Sequence, residues 1–75
     1  MKASDLKVGE EAIVVRLNIT NKKIKRHLLD MGVCRETKIK IKKIAPSKDP
    51  IDIELRDYEL CLSKKDLSGI EVEKI

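Results

Sequence analysis

The stretch KIKIKKIAPSKDPIDIEL, Lys38 to Leu55, decides the fold. Thr37, Ile39 and Ile41 point one way and Lys38, Lys40 and Lys42 the other, the period of two of a half-buried strand. Continuing that phase would bury Lys43 and expose Ile44, so a bulge near Lys42–Lys43 is expected, bending the strand. Pro46 and Pro50 bracket a turn, each fixing φ and lacking an N–H donor. Ile51, Ile53 and Leu55 then alternate with Asp52 and Glu54. Residues 37–45 and 51–55 read as an antiparallel hairpin whose outer face sets Asp52 and Glu54 near Lys40 and Lys42. Opposite charges there stabilise the pair modestly. The lysine stripe is thus largely a solvated, self-paired face.

The same pattern extends outward. Upstream, Leu6 and Val8 are expected to tack an opening loop onto the core, and Ile13, Val15, Leu17 and Ile19 to share the inner face of a first strand, with Arg16 and Asn18 outside. Thr20 or Asn21 offers an oxygen to cap a helix. Within NKKIKRHLLDMG, Ile24, Leu28 and Met31 recur at helical spacing, and Gly32 suits a left-handed helix end. The helix spans only about three turns and needs packing to persist. Downstream, Arg56-Asp57 makes a turn, and Tyr58 to Ser63 alternate again with Cys61 outside. Ser63 and Asp66 resemble a capping box before a short helical turn, and Ile70 to Val72 close with another strand. Five short strands with one inserted helix and a short helical turn predict an all-β dominated, SH3-like barrel, a single domain over residues 1–75.

Composition narrows the function classes. A 75-residue chain buries only roughly 60% of the surface its unfolded form exposes, leaving little room for an enzyme-sized pocket. No nucleophile stands beside a base, and there is neither a glycine-rich phosphate loop nor a cleft of paired carboxylates. The chain is not expected to be an enzyme or to carry a cofactor. Seventeen Lys and Arg against 13 Asp and Glu give a net charge of +4, a mild excess on a mixed-sign surface. Tyr58 is the single aromatic residue, and one ring makes no stacking platform for RNA or DNA. Neither a signal-peptide pattern nor an 18-residue apolar run occurs, so a cytoplasmic location is expected. Cys34 and Cys61 read as free thiols in a reducing compartment, with one disulfide as the alternative.

Two segments are candidate partner-binding surfaces. On the helix, Lys22, Lys25 and Arg26 cluster opposite the apolar side, and Leu29 projects among them. An apolar residue framed by cations suits an anchor, although Leu28 and Leu29 would both be buried if the helix sat in a groove. The second is the hairpin tip, with Pro46, Asp49 and Pro50. His27, Asp30 and Cys34 are plausible donors to a borderline metal ion, yet their spacing matches no metal signature, so no metal site is assigned.

Taken in order, DLKVGEEAIV, KRHLLDMGV, IAPSKDPIDIEL and LCLSKKDLSGIEVE resemble the ferrous iron transport protein A (FeoA) family over nearly the whole chain. The most specific pieces are Leu-Leu-x-x-Gly at the helix end, Ala-Pro-x-x-Asp-Pro-Ile, and Leu-x-Leu-x-x-x-Asp-Leu. The resemblance implies a small cytoplasmic SH3-like accessory of bacterial ferrous iron uptake, at most peripheral at the inner membrane through its partner, the FeoB transporter with its cytoplasmic G-protein domain. By position it covers Leu28 and Leu29, Ala45 to Ile51, and Leu60 to Leu67. Arg35-Glu36 stands where the family usually has Pro-Gly, Lys48 where it favours glycine, and Leu62-Ser63 where Leu-Arg is frequent. Two alternatives are the SH3-like module of a metal-dependent transcriptional regulator, for which these residues hold no helix-turn-helix, and a basic RNA-binding barrel.

Overall fold

A computed structural model describes residues 1–75. A 3-10 turn (Ala3–Asp5) precedes β1 (Glu11–Leu17), α1 (Lys22–Asp30), β2 (Lys38–Ile44), β3 (Ile51–Leu55), β4 (Tyr58–Leu62), α2 (Lys64–Ser68) and β5 (Ile70–Lys74). The strands form one antiparallel sheet in the order β4-β3-β2-β1-β5, curled around an aliphatic core. This is the SH3-like barrel that the alternation predicts.

The deciding hairpin forms as expected. Ile39 lies opposite Leu55 and Ile41 opposite Ile53, and the register shifts between Ile41 and Lys43. The shift leaves Lys43 exposed and turns Ile44 partly inward, so the extra residue bends β2 without burying a charge. Ala45 N–H donates to Pro50 O at 3.1 Å, and Lys48 N–H to Ala45 O at 2.7 Å, closing a turn whose Asp49–Pro50 peptide is cis.

β1 departs from the expected phase. Ala12 and Val14 are its buried residues, while Ile13 and Val15 are only half-buried. Adjacent valines offer the sheet either parity. Val14 pairs with buried Val72 of β5, and a bulge between Val14 and Arg16 absorbs Val15. Beyond the bulge, Leu17 and Ile19 pack on the core as expected. Val8 is a second correction: it is 59% exposed, whereas Leu6 is buried. Gly9, at φ +88°, turns the chain there and donates to Ile41 O at 2.8 Å, which ties the backbone down while Val8 faces outward.

Both ends of α1 follow from local chemistry. Asn21 Oδ1 accepts from the N–H groups of Lys23 at 3.0 Å and Ile24 at 3.2 Å, satisfying two donors that the first turn leaves free. At the other end Gly32 adopts φ +92°, donating to Leu29 O at 3.0 Å, while Val33 donates to Leu28 O at 2.9 Å. These two bonds make a Schellman motif, and the accompanying apolar contact is supplied by buried Leu28 and Val33. In α2, Ser63 Oγ accepts from Asp66 N–H at 3.1 Å.

The two sheet edges are treated differently. The N-terminal residues run along β5, where Val72 N–H donates to Met1 O at 2.7 Å and Lys2 bridges Glu71. β4, at the opposite edge, pairs only with β3.

Candidate functional site

The basic face of α1 is built by the burial of its opposite face. Leu28 is 1% exposed and belongs to the core, whereas Leu29 is 44% exposed. Leu28 therefore presents no surface to a partner: successive helical residues lie about 100° apart, so burying one turns the next outward. Lys22, Lys25, Arg26 and His27 are all exposed around Leu29, and none of them makes an ion pair.

The hairpin tip is placed elsewhere. Asp49 Oδ1 accepts from Lys64 N–H at 2.8 Å, capping the first turn of α2, and Ser47 Oγ donates to Asp49 O at 2.8 Å. Pro46 and Pro50 are exposed beside it. The C-terminal end of α1 instead approaches the other end of the hairpin, where Tyr58 Oη lies above Gly32. The five-residue strand β3 separates these turns by roughly 15 Å. No hydrogen bond or ion pair joins α1 to residues 46–50.

His27, Asp30 and Cys34 do not converge as a ligand set, and no three His, Cys, Asp or Glu side chains do. Cys34 Sγ lies 3.2 Å from Thr37 Oγ1, which in turn donates to Gly32 O at 3.3 Å. Cys34 and Cys61 are both free thiols. Cys61 sits directly across from Asp52. A hydrogen bond to that carboxylate, with some desolvation, raises the Cys61 thiol pKa above its usual value of 9.0.

The lysine stripe is answered on both sides. Lys38 Nζ pairs with Glu11 of β1 at 2.8 Å, and Lys42 Nζ reaches Glu54 at 3.3 Å and Glu59 at 3.7 Å. The hydrogen bonds, reinforced by charge attraction, hold both amines above the ordinary lysine value and the Glu11 carboxyl below the ordinary glutamate value. Lys40 lies opposite Glu11 on one side and Glu54 on the other, yet neither carboxylate pairs with it. The expected pairing of strands is right: the register sets Glu54 opposite Lys40, and its carboxylate pairs diagonally with Lys42. The β1 partner of Lys38 went unforeseen because nothing local links residues 11 and 38.

A curled five-stranded antiparallel sheet with a capped helix between its first two strands, bearing a basic face around one exposed leucine, defines an SH3-like domain. Residues 1–74 match the FeoA domain, and the chain belongs to that family, whose members are associated with ferrous iron transport. The chain is 32% identical over 75 residues to the Fe(2+) transport protein A/Fe(2+) transporter FeoB fusion protein of Porphyromonas gingivalis, covering all of this chain and 9% of that protein. It therefore spans only a small part of that relative. Among solved structures, the FeoA protein of Chlorobium tepidum superposes with a TM-score of 0.94 at 32% identity, covering 100% of this chain and 70% of the other. The zinc complex of Stenotrophomonas maltophilia FeoA, described as a prokaryotic SH3 domain protein, gives a TM-score of 0.86 at 18% identity over 97% of this chain and 89% of that one. At that identity the likeness concerns the fold. No helix is long and apolar enough to cross a membrane.

Proposed function

We propose that this chain is an accessory subunit of ferrous iron uptake that docks on the cytoplasmic part of a FeoB-type transporter and works at the cytoplasmic side of the inner membrane through that partner. The observation that carries this reading is the Porphyromonas gingivalis relative, in which a homologous segment is fused to the transporter FeoB. Fusion turns an encounter between two modules into an intramolecular one and is productive when both work at one place. The docking surface on this reading is the α1 face: Leu29 as apolar anchor, Lys22, Lys25 and Arg26 as its basic frame, with Leu28 fixing the helix from beneath. Pro46, Asp49 and Pro50 form a second contact at the hairpin tip, held rigid by the Asp49–Lys64 bond. Docking changes the transporter's activity only if the subunit binds two of its states with different affinity.

The test is a titration of 15N-labelled protein with the transporter's cytoplasmic G-protein domain at low and physiological salt. Shifts are expected at residues 22–29 and 46–50, weakened by salt because the framing cations are exposed. Absence of shifts at partner concentrations up to about 1 mM, where even very weak complexes populate, would remove that domain as the direct partner.

A further inference from the structure

A groove of about 680 Å³ lies over the outer face of the sheet, where the solvent sides of β1, β2 and β3 meet the turn after α1 and the turn between β3 and β4. Its charges are not balanced within the chain. Lys38 is taken by Glu11, and Glu54 is drawn away by Lys42 from outside the groove. Arg35, Lys40 and Arg56 remain on its walls without an ion pair, with Glu36 as the one carboxylate left unpaired. The only apolar lining residue, Ile39, is fully buried. A ligand here gains nothing from apolar contact and is held by charge and hydrogen bonds.

The chemistry of the walls selects among anionic ligands. Two guanidinium groups offer planar forks that match carboxylates in pairs, and Lys40 adds a point charge. The wall carboxylates of Glu11, Glu36 and Glu54 accept hydrogen bonds and donate none. A DNA phosphodiester chain carries an anion at every residue and no backbone donor, so the unpaired Glu36 repels it, and the groove has no aromatic side chain for a base to stack on. A peptide carries both carboxylates and backbone N–H groups. We propose that this groove binds an extended acidic segment of a protein partner, its carboxylates meeting Arg35, Lys40 and Arg56 and its N–H groups facing the glutamates. Arg56 Nη2 lies 4.0 Å from Cys34 Sγ, which sets it beside the turn that carries Arg35. This surface is separate from the α1 face, and the inference does not depend on the transporter reading.

The test uses the whole chain and three fluorescein-labelled probes, read by anisotropy: a decapeptide alternating Asp and Gly, its Asn counterpart, and a thymidylate oligonucleotide of the same length. The Asp peptide is expected to bind at least tenfold tighter than either other probe. The combined Arg35→Gln, Lys40→Gln and Arg56→Gln variant should lose about tenfold or more, the scale of lost charge-assisted hydrogen bonds. The charge-matched Lys7→Gln, Lys43→Gln and Lys65→Gln variant, at exposed lysines outside the groove that make no ion pair, should bind as the parent does. Equal binding of the Asn peptide, preference for thymidylate, or equal losses in the two variants would overturn the proposal. Lys40→Gln alone, at a half-buried lysine that makes no ion pair, repeats the test if the triple variant does not fold: reduced affinity supports the groove, and unchanged affinity counts against it.

Discussion

Tyr58 Oη lies over Gly32 so closely that a Cβ placed on the glycine would be 2.9 Å from it. Tyr58, the first residue of β4, thus reaches over the turn that ends α1. Gly32→Ala meets two obstacles: φ of +92°, which costs a side chain about 1–2 kcal/mol, and the hydroxyl. Urea unfolding should show a loss of about 1–3 kcal/mol. Adding Tyr58→Phe should restore part of it, since removing the hydroxyl relieves the contact but leaves the backbone strain.

The neighbouring leucines should respond in opposite ways. Leu28→Ala opens a cavity in the core, for a loss of about 2–5 kcal/mol, enough to unfold much of so small a domain. Leu29→Ala should change stability by no more than about 0.5 kcal/mol and leave the amide NMR spectrum intact outside α1. An intact fold in Leu28→Ala beside collapse in Leu29→Ala would reverse the assignment of faces.

Three non-glycine residues occupy left-handed backbone conformations better suited to glycine, Arg56 at φ +53° among them. Glu36 has φ +71° and Lys48 φ +70°, the positions at which the family resemblance leads one to expect glycine. The left-handed conformation costs a side chain about 1–2 kcal/mol, while glycine's extra freedom in the unfolded chain offsets roughly half or more of the gain. Glu36→Gly and Lys48→Gly should each raise stability by about 0.5 kcal/mol, detectable as a shift in urea midpoint. Because Glu36 lines the acidic-segment groove, its substitution also reports on binding there.

Acid should weaken the sheet through two glutamates. Glu10 is held below the ordinary value of 4.5 by its hydrogen bond to Lys74, and Glu11 by its bond to Lys38. A carboxyl with a depressed folded-state pKa favours folding above the unfolded value and loses that contribution as pH falls through the folded one. Urea midpoints between pH 6 and pH 2 should therefore fall, and fall less in Glu10→Gln with Glu11→Gln. Added salt should shrink the difference, because both pairs are exposed. The raised amines of Lys38 and Lys42 have the opposite sign, their contribution being lost only as pH rises through values above 10.5.

The hairpin was legible because Ile39, Ile41, Ile51, Ile53 and Leu55 alternate without ambiguity, and because Lys43 and Ile44 break the alternation in a way only a bulge repairs. The helix was legible at both ends, from Asn21 and Gly32. β1 was misread in phase because Val14 and Val15 are interchangeable to a pattern of two, and the choice is made by Val72, far along the chain. The exposure of Val8 depends on Gly9 bonding to Ile41, again a distant partner. The groove was invisible for the same reason. Arg35 and Arg56 sit in separate turns, and only the folded sheet sets them beside Lys40.

The pairing of β1 with β5, and of Met1 with Val72, joins the two ends of the sequence. Local hairpins between residues 38 and 62 can assemble early, but the first strand has no outer neighbour until residue 74 is available. Closing so long a loop before any contact rewards it slows acquisition of the native state. Refolding on the millisecond-to-second scale is expected. A nascent chain on the ribosome would hold an unfinished sheet until its last strand clears the exit tunnel.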